Sequence, residues 1–521
     1  MSAEPRKSLV HRTALFLVWL GVALAAVVFS EPAPFDLIMM GLIVLLPVIG
    51  LAPLSPALVL FLALWLLVSA GGVASTITAG DLHKAGTHTF ITLYLSIAAL
   101  VIAAFVRRSP VRHTRIVMGA MIAASLVAAV SGLVGYFGVV PSLQDLFTEF
   151  GRARGTFKDP NVFGAFLVLP ATYAVHLFVS RRGLSSFVAL VMLGLLSLAT
   201  LLSFSRGAWF SLALAFLAFG YLSFVTAETA KQRLRIFLLA FFGVIGMSAV
   251  ILGATQVDSV RTLLAERATL TQSYDEGPEG RFGGQEKARS LITEHPFGIG
   301  ALEFSRVYHH EDVHNVYLSM FLNAGWLGGG MYLVLVVMTI LVGLKGVFRR
   351  TAFQSLAIVA FAAFFSTAAE GLIIDTDHWR HFFVLMGLVW GTALAAGRAS
   401  QLDGPSEGLA EPAQTRSRPV VVGQVEGKIR RKRAVIAKRI TRERPAIVPA
   451  SSPLERPQSP LPRDRRPLPL PGRHRATFGE GESLVLVRRS AFGRGPGSGP
   501  SRKPQRMMRR FAARPGKLRA A

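Results

Sequence analysis

The sequence contains no cysteine among its 521 residues. This absence excludes disulfide bonds, thiolate metal sites and cysteine nucleophiles. Charged residues are scarce as well, at 17%, whereas hydrophobic residues make up 52%. The hydrophobic residues lie in long runs without charge, while a soluble chain of this length would usually divide into domains of ordinary composition. The composition therefore predicts an integral membrane protein.

The uncharged runs are long enough to cross a bilayer as helices, because about 20 residues rising 1.5 Å each span a hydrocarbon core of about 30 Å. We predict about twelve spans, at roughly 14–30, 35–51, 55–75, 87–106, 115–139, 161–180, 184–203, 207–225, 234–254, 325–345, 352–373 and 381–398. The predicted fold class is therefore all-α: an integral membrane protein with about twelve transmembrane helices, a large, partly helical loop at 255–313 and a disordered basic C-terminal tail.

Acidic residues are few, 30 against 56 lysines and arginines, and the net charge is +26. Residues 399–521 hold 28 of the basic and 9 of the acidic residues, so +19 of this charge lies there. They are rich in proline, arginine, glycine and serine, a composition that cannot bury enough apolar surface to fold. We predict a membrane domain over 1–398, a disordered tail over 399–521 and no nucleic-acid partner. The basic run 428–439 suits anionic lipid, but a solvated tail without a partner explains it equally well.

The basic residues of the membrane domain fall in alternate loops. They cluster at 107–115, 181–182, 231–235 and 345–350, and the N-terminus is basic too. With twelve spans all of these lie on one face, which the positive-inside rule assigns to the cytoplasm. We therefore predict that both termini are cytoplasmic. The segments 140–160, 203–207, 255–313 and 375–381 then face outward.

Arginines recur in the outward segments, where the positive-inside rule disfavours them. Arg152 and Arg154 precede the sixth span, Arg206 lies between the seventh and eighth, and Arg281 follows a glycine in a glycine-rich break at 277–284. A guanidinium group binds diphosphate through a planar fork of donors. One such arginine alone is explained by helix capping or by snorkelling to the interface. As a set they predict a site for one anionic ligand.

His314 and Asn315 precede a segment that is predicted to be helical and to run through VYLSMFLNAGWLGGG. A neutral imidazole at a membrane boundary suits a general base, although a single histidine is more often structural. Glu370, near the outer end of the eleventh span, is an intramembrane acid and a further candidate. The GIG at 298–300 predicts a turn rather than a nucleotide loop, because no strand precedes it.

Two groups of residues resemble metal ligands only weakly. Their members are His309, His310, Glu311 and Asp312 in one group and Asp375, Asp377 and His378 in the other. The first group has no standard ligand spacing, and acidic residues in a short outward loop, as in the second, are common. We therefore predict neither a metal site nor a cofactor.

Four segments taken together resemble the O-antigen ligase and polymerase superfamily of bacterial membrane glycosyltransferases. They are RGTFKDPNVFGAFLVLP at 154–170, SFSRGAWFSL at 203–212, GR at 280–281 leading into EHPFGIGALEF at 294–304, and HNVYLSMFLNAGWLGG at 314–329. Each segment alone is a weak signal, but their combination and order are specific. The resemblance covers about residues 10–398, and the basic tail has no counterpart in it.

The resemblance implies that a glycan is transferred from an undecaprenyl diphosphate carrier to an acceptor hydroxyl at the periplasmic face of the inner membrane. It implies catalytic roles for Arg206 and Arg281, which would hold the diphosphate leaving group, and for His314, which would activate the acceptor. Arg154, Asn161 and Asn315, in the same segments, are the predicted substrate-binding residues. Direct attack by the acceptor would invert the anomeric centre without a metal.

Three functions remain open from the sequence. An O-antigen ligase takes lipid A-core as its acceptor, whereas an O-antigen or exopolysaccharide polymerase takes a second lipid-linked glycan. A glycolipid transporter or flippase is the alternative of another class, since it also suits twelve spans. Transporters commonly have internal repeats and helices broken at the midplane, and the sequence shows neither. The large outward loop also favours a transferase.

Overall fold

The computed structural model describes residues 4–267 and 277–402, and these all belong to the first of the two units into which the chain divides, Met1–Glu411. Apart from its first residues, the predicted tail at 399–521 lies outside the described residues. The helices before residue 181 are α1 (Glu4–Ala23), α2 (Pro34–Val48), α3 (Val59–Thr76), α4 (Leu82–Arg108), α5 (Pro110–Tyr136), α6 (Gln144–Phe147), α7 (Pro160–Phe166) and α8 (Val168–Ser180).

The second half of the described chain is also helical. Its helices are α9 (Leu184–Leu202), α10 (Arg206–Thr226), α11 (Ala230–Ala254), α12 (Asp258–Arg267), α13 (Arg281–Glu294), α14 (Val316–Val347), α15 (Gln354–Glu370) and α16 (Arg380–Leu402). One small antiparallel hairpin of β1 (Thr148–Glu149) and β2 (Arg152–Ala153) lies between α6 and α7.

In the described ranges, ten helical segments are long and apolar enough to cross a membrane. They are Leu9–Ala26, Pro56–Thr76, Leu82–Arg108, Pro110–Tyr136, Pro160–Ser180, Leu184–Leu202, Arg206–Thr226, Ala230–Gly253, Val316–Val347 and Arg380–Ala399. The apolar helices α2 and α15 are shorter and account for the remaining two predicted spans. The predicted all-α, multi-pass membrane fold is confirmed.

The predicted large loop is partly helical, with α12, α13 and a π-helical turn at Phe304–Tyr308. The glycine-rich break is shorter than predicted. The chain turns at Gly277–Gly280, but α13 already begins at Arg281 and continues through Gly283 and Gly284. Arg281 is therefore the first residue of a helix rather than part of a loop.

Helix α14 is broken at Gly325, whose φ of 65° is left-handed. The break frees backbone groups, and the turn before it uses them: Ile299 N–H donates to the Leu322 carbonyl at 2.9 Å, and Trp326 N–H donates to the Pro296 carbonyl at 2.8 Å. A side chain at Gly298 would lie 2.6 Å from the Leu322 oxygen, so only glycine fits. The chain turns at Pro296 and Phe297, just before the predicted turn at 298–300, and the residues that follow pack against the break in α14.

Candidate active site

Arg206 is the first residue of α10, and the sequence before it determines this position. The Ser205 hydroxyl accepts a hydrogen bond from Ala208 N–H at 3.2 Å and caps the helix. Phe204 adopts φ of 47°, which turns the chain sharply between the end of α9 and the start of α10. Arg206 is half-buried at this turn. The N-terminal end of a helix favours negative charge, so a cationic side chain and the helix dipole act together here.

The start of α10 packs against the end of α15. A Cβ atom at Gly207 would lie 3.0 Å from Oε1 of Glu370 and 3.5 Å from Cδ1 of Ile373. Glu370 is fully buried at this contact. The glycine after Arg206 therefore allows α10 to approach the corner between α15 and α16, where the connecting segment 371–379 begins.

The same corner holds the start of α14. Asn315 caps this helix, because its Oδ1 accepts from Tyr317 N–H at 3.1 Å and from Leu318 N–H at 3.2 Å. Its amide nitrogen Nδ2 donates to the Leu372 carbonyl at 3.0 Å, and Val316 N–H donates to the Gly371 carbonyl at 2.9 Å. The amide of Asn315 is thus engaged in binding α14 to the corner.

His314, the residue before this cap, has φ of 52°, a conformation that a histidine rarely adopts. Its N–H donates to Oδ2 of Asp375 at 2.8 Å. The Ser319 hydroxyl donates to the other carboxylate oxygen of Asp375 at 2.5 Å. Burial, together with the negative charge of Asp377, raises the pKa of Asp375 to about 7. Through its hydrogen bond with the His314 N–H, Asp375 holds the backbone of His314 in place.

Helix α13 approaches His314 from the other side. Gln285, one turn after Arg281, donates from Nε2 to the His314 carbonyl at 3.4 Å. Burial and the positive charge of Arg281 lower the pKa of His314, while the carboxylates of Glu311 and Asp312 act in the opposite direction. Nε2 of His314 lies 3.6 Å from a carboxylate oxygen of Glu311. The lowered pKa favours the neutral imidazole, the state that accepts a proton.

The predicted catalytic residues thus belong to one region of the fold. Arg206 is at the start of α10, Arg281 is at the start of α13 and His314 directly precedes Asn315, the cap of α14. The starts of α10 and α14 meet the same α15–α16 corner, and α13 contacts His314. The arrangement supplies fixed positive charge, from side chains and helix ends, beside the imidazole.

Of the other two predicted substrate-binding residues, Arg154 directly follows the hairpin and Asn161 lies in the first turn of α7. The guanidinium of Arg154 donates to the carbonyls of Asp145, Leu146 and Lys158. Asn161 accepts a 2.7 Å hydrogen bond from Arg152 through its Oδ1. Both side chains therefore have partners within their own segment.

Arg152 is a functional candidate that sequence reasoning grouped with Arg154 but did not select. It is buried, and its Nε donates to the Ser203 carbonyl at 2.8 Å. Since Ser203 is three residues before Arg206, Arg152 joins the hairpin to the turn that carries Arg206. A buried arginine that bonds a distant carbonyl leaves no local pattern in a sequence.

The structure regroups the weak metal candidates. Asp375 bonds to His314, whereas Asp377 and His378 meet His88 of α4. Nε2 of His88 lies 3.2 Å from Oδ2 of Asp377, and the two histidine rings stack with centroids 3.8 Å apart. His309 and His310 are grouped with Glu279 rather than with the acidic residues that follow them. In the described part of the chain, these two groups have the ligand spacing to hold a metal ion.

Comparison with known families gives one match over this region. Residues 190–333 match a family described as O-Antigen ligase. The matched range contains Arg206, Arg281, His314 and Asn315, whereas Arg152 and the corner residue Asp375 lie outside it. No curated protein matches the chain. Residues 190–333 of this multi-pass membrane protein are thus similar to the O-antigen ligase family, which is consistent with the O-antigen ligase and polymerase superfamily.

Proposed function

We propose that the protein transfers a glycan from an undecaprenyl diphosphate carrier to the hydroxyl of an acceptor, which in the ligase reaction is lipid A-core. The observation that carries this proposal is the gathering of Arg206, Arg281 and His314 at the starts of α10, α13 and α14. A diphosphate leaving group carries its charge away without needing a proton, so fixed positive charge lowers the barrier to its departure. The family match to O-antigen ligase supports the same reaction class.

In the proposed reaction, the acceptor oxygen forms a bond to the anomeric carbon while the bond from that carbon to the diphosphate breaks. His314 takes the proton of the acceptor hydroxyl, because its lowered pKa favours the neutral imidazole. Arg206 and Arg281 bind the diphosphate before and after the bond breaks. A single direct displacement inverts the anomeric centre, and none of these steps uses a metal ion.

The proposed location is the inner membrane, with both termini in the cytoplasm and the site on the periplasmic face. The basic loops support this orientation. We count α7 and α8 together as one crossing and count α2 and α15 as crossings. Each basic loop then follows an even number of crossings: 107–115, 181–182, 231–235 and 345–350. The site segments 203–207, 281–315 and 371–379 follow odd numbers and lie on the opposite face.

The test is glycan transfer by the purified protein, with a lipid diphosphate-linked donor and lipid A-core as acceptor. We expect His314→Ala to reduce the rate by about 10²–10⁴-fold. Arg206→Ala and Arg281→Ala should reduce it at least as much, and Arg206→Lys should restore only part of it because a point charge cannot replace the planar fork. Arg182→Ala, an exposed arginine on the opposite face, is the matched control and should retain full activity.

Each alternative gives a different result in this assay. A polymerase would join two lipid-linked glycans and leave lipid A-core unmodified. A transporter would give no transfer product, and in a transport assay it would move the glycolipid at the same rate with His314→Ala. Loss of transfer in EDTA, with recovery on adding a divalent ion, would overturn the metal-independent mechanism and direct attention to His88, Asp377 and His378.

A further inference from the structure

A groove of about 740 Å³ opens between α1 and α5, far from the candidate active site. Its residues are of two kinds. The polar part contains Arg12, Arg112 and Arg115, and the apolar wall is formed by Leu15, Phe16, Trp19, Val111 and Ile116, with Ser109 and Gly119 completing the lining. Among the residues that the structure describes, none of those lining it is acidic. Cationic groups at one end of an apolar wall match the form of a phospholipid, which has a charged head and hydrocarbon chains.

The position of the groove places it at one edge of the bilayer. Its residues on α5 all lie between Val111 and Gly119, in the first third of a helix that ends at Tyr136. At the other end of α5, Gly135 packs against Phe147, next to the hairpin that Arg152 joins to Ser203. From residue 115 to residue 135 the helix rises about 30 Å, the thickness of the hydrocarbon core. The groove and the active site are therefore at opposite membrane faces.

The guanidinium groups in the groove are available for a ligand. Arg12, Arg112 and Arg115 are exposed, and among the residues that the structure describes none of them has an ion-pair partner. By comparison, Arg350 at this face is paired with Glu228 at 3.6 Å. The chain's own tail is a poor occupant, because residues 399–521 carry a net charge of +19 by the counts given above. Charge complementarity instead requires an anionic head group.

We propose that this groove binds an anionic phospholipid from the leaflet opposite the active site. The three arginines would contact the phosphate oxygens of the head group, since a guanidinium suits phosphate geometry. Trp19 and Phe16, whose stacked rings are 6.4 Å apart, would lie along the acyl chains together with Leu15 and Ile116. A bound lipid would fill the space between α1 and α5 and shield the repulsion among the three arginines.

The first test measures lipid binding by the full-length protein in nanodiscs or detergent, with phosphatidylglycerol carrying brominated acyl chains as the probe. Bromine in the groove should quench the fluorescence of Trp19. We expect the triple variant Arg12→Gln, Arg112→Gln, Arg115→Gln to weaken the preference for phosphatidylglycerol over phosphatidylcholine at least tenfold. The matched control, Arg182→Gln, Lys231→Gln, Arg235→Gln, removes the same charge from exposed positions on the same face.

The second test blocks the groove without changing charge. Among the described residues, a Cβ atom at Gly119 would meet no other atom within 4 Å, so the side chain of Gly119→Trp starts in open space and adds bulk to the groove. We expect it to abolish the specific binding. Gly220→Trp is the control, because Gly220 is equally open and lies on α10.

The two tests together either support the lipid site or overturn it. Loss of binding in the arginine triple variant and in Gly119→Trp, with both controls unchanged, supports the site. Equal loss in the two triple variants would show a general effect of surface charge and overturn the proposal. Unchanged binding in Gly119→Trp, or displacement of the lipid by inorganic phosphate at millimolar concentration, would also overturn it, because the acyl chains would then play no part.

Discussion

The N–H of His314 donates a 2.8 Å hydrogen bond to Oδ2 of Asp375, 61 positions further along the chain. This bond fixes the left-handed backbone of the histidine beside the α15–α16 corner. The second carboxylate oxygen of Asp375 accepts a hydrogen bond from Ser319 on α14. Asp375 is therefore a positioning residue whose two oxygens bind α14 and His314. The position of the imidazole therefore depends on a residue outside the matched family range.

We expect Asp375→Ala to lower the transfer rate by about 10- to 100-fold, the effect of losing a hydrogen bond to a charged group that orients a catalytic residue. Asp375→Asn is the informative partner, because its amide oxygen still accepts from the His314 N–H and its NH₂ group can donate to the Ser319 oxygen. It should retain most of the activity. Turnover and accumulation in the membrane should be measured for both. An Asp375→Ala protein with normal turnover would show that this bond does not position the base.

The pH dependence of transfer should report the surroundings of His314. Burial and Arg281 lower the pKa of His314, so protonation of the base should lower the wild-type rate at pH values below the usual imidazole range, whereas Asp375 becomes protonated near pH 7. Removing the positive charge in Arg281→Gln should raise the pKa of His314 and move the acid limb of the rate profile to higher pH. Removing the carboxylate in Glu311→Gln should lower the pKa and move the limb to lower pH.

The control for these shifts is Arg289→Gln. Arg289 lies on the same helix as Arg281 but is exposed and pairs with Glu286 at 2.9 Å. Its removal should leave the acid limb in place. If Arg281→Gln and Glu311→Gln moved the limb in the same direction, His314 would not be the group that titrates.

Gly325 should tolerate substitution far less than Gly330 on the same helix. A Cβ atom at Gly325 would lie 2.7 Å from the carbonyl carbon of Phe297, and the residue has φ of +65°. Gly330 has nothing within 4 Å of the same position. We expect Gly325→Ala to destabilise the protein by about 1–3 kcal/mol and to lower its melting temperature in detergent. Gly330→Ala should leave the melting temperature unchanged or raise it slightly.

The proposed orientation predicts the result of reporter fusions. A fusion at residue 270 should give a periplasmic signal and a fusion at residue 420 a cytoplasmic one, because basic loops remain on the cytoplasmic side. Accumulation of each fusion protein, measured by immunoblot, controls for expression. A cytoplasmic signal at residue 270 would contradict the orientation and with it the periplasmic site.

Features that depend on neighbouring residues could be predicted before the fold was known. Uncharged runs predicted the membrane helices, and the glycines at 298–300 predicted a turn directly beside the one at Pro296 and Phe297. The capping serine before Arg206 and the capping asparagine after His314 are equally local, since a cap bonds within three residues of itself. Motif order then carried the resemblance that the family match over 190–333 confirms. The roles of the individual site residues remain proposals.

Contacts between residues that are distant in the chain became visible only in the folded protein. The sequence grouped Asp375 with Asp377 and His378. In the fold, Asp375 accepts a hydrogen bond from His314, and His88 lies beside Asp377 and His378. Hydrogen bonds between segments that are far apart leave no periodic signal, so Arg152 could not be distinguished from Arg154 by pattern. The same reason applies to the groove between α1 and α5. The sequence shows that Arg12 and Arg115 are basic, but helix packing makes them two sides of one cavity.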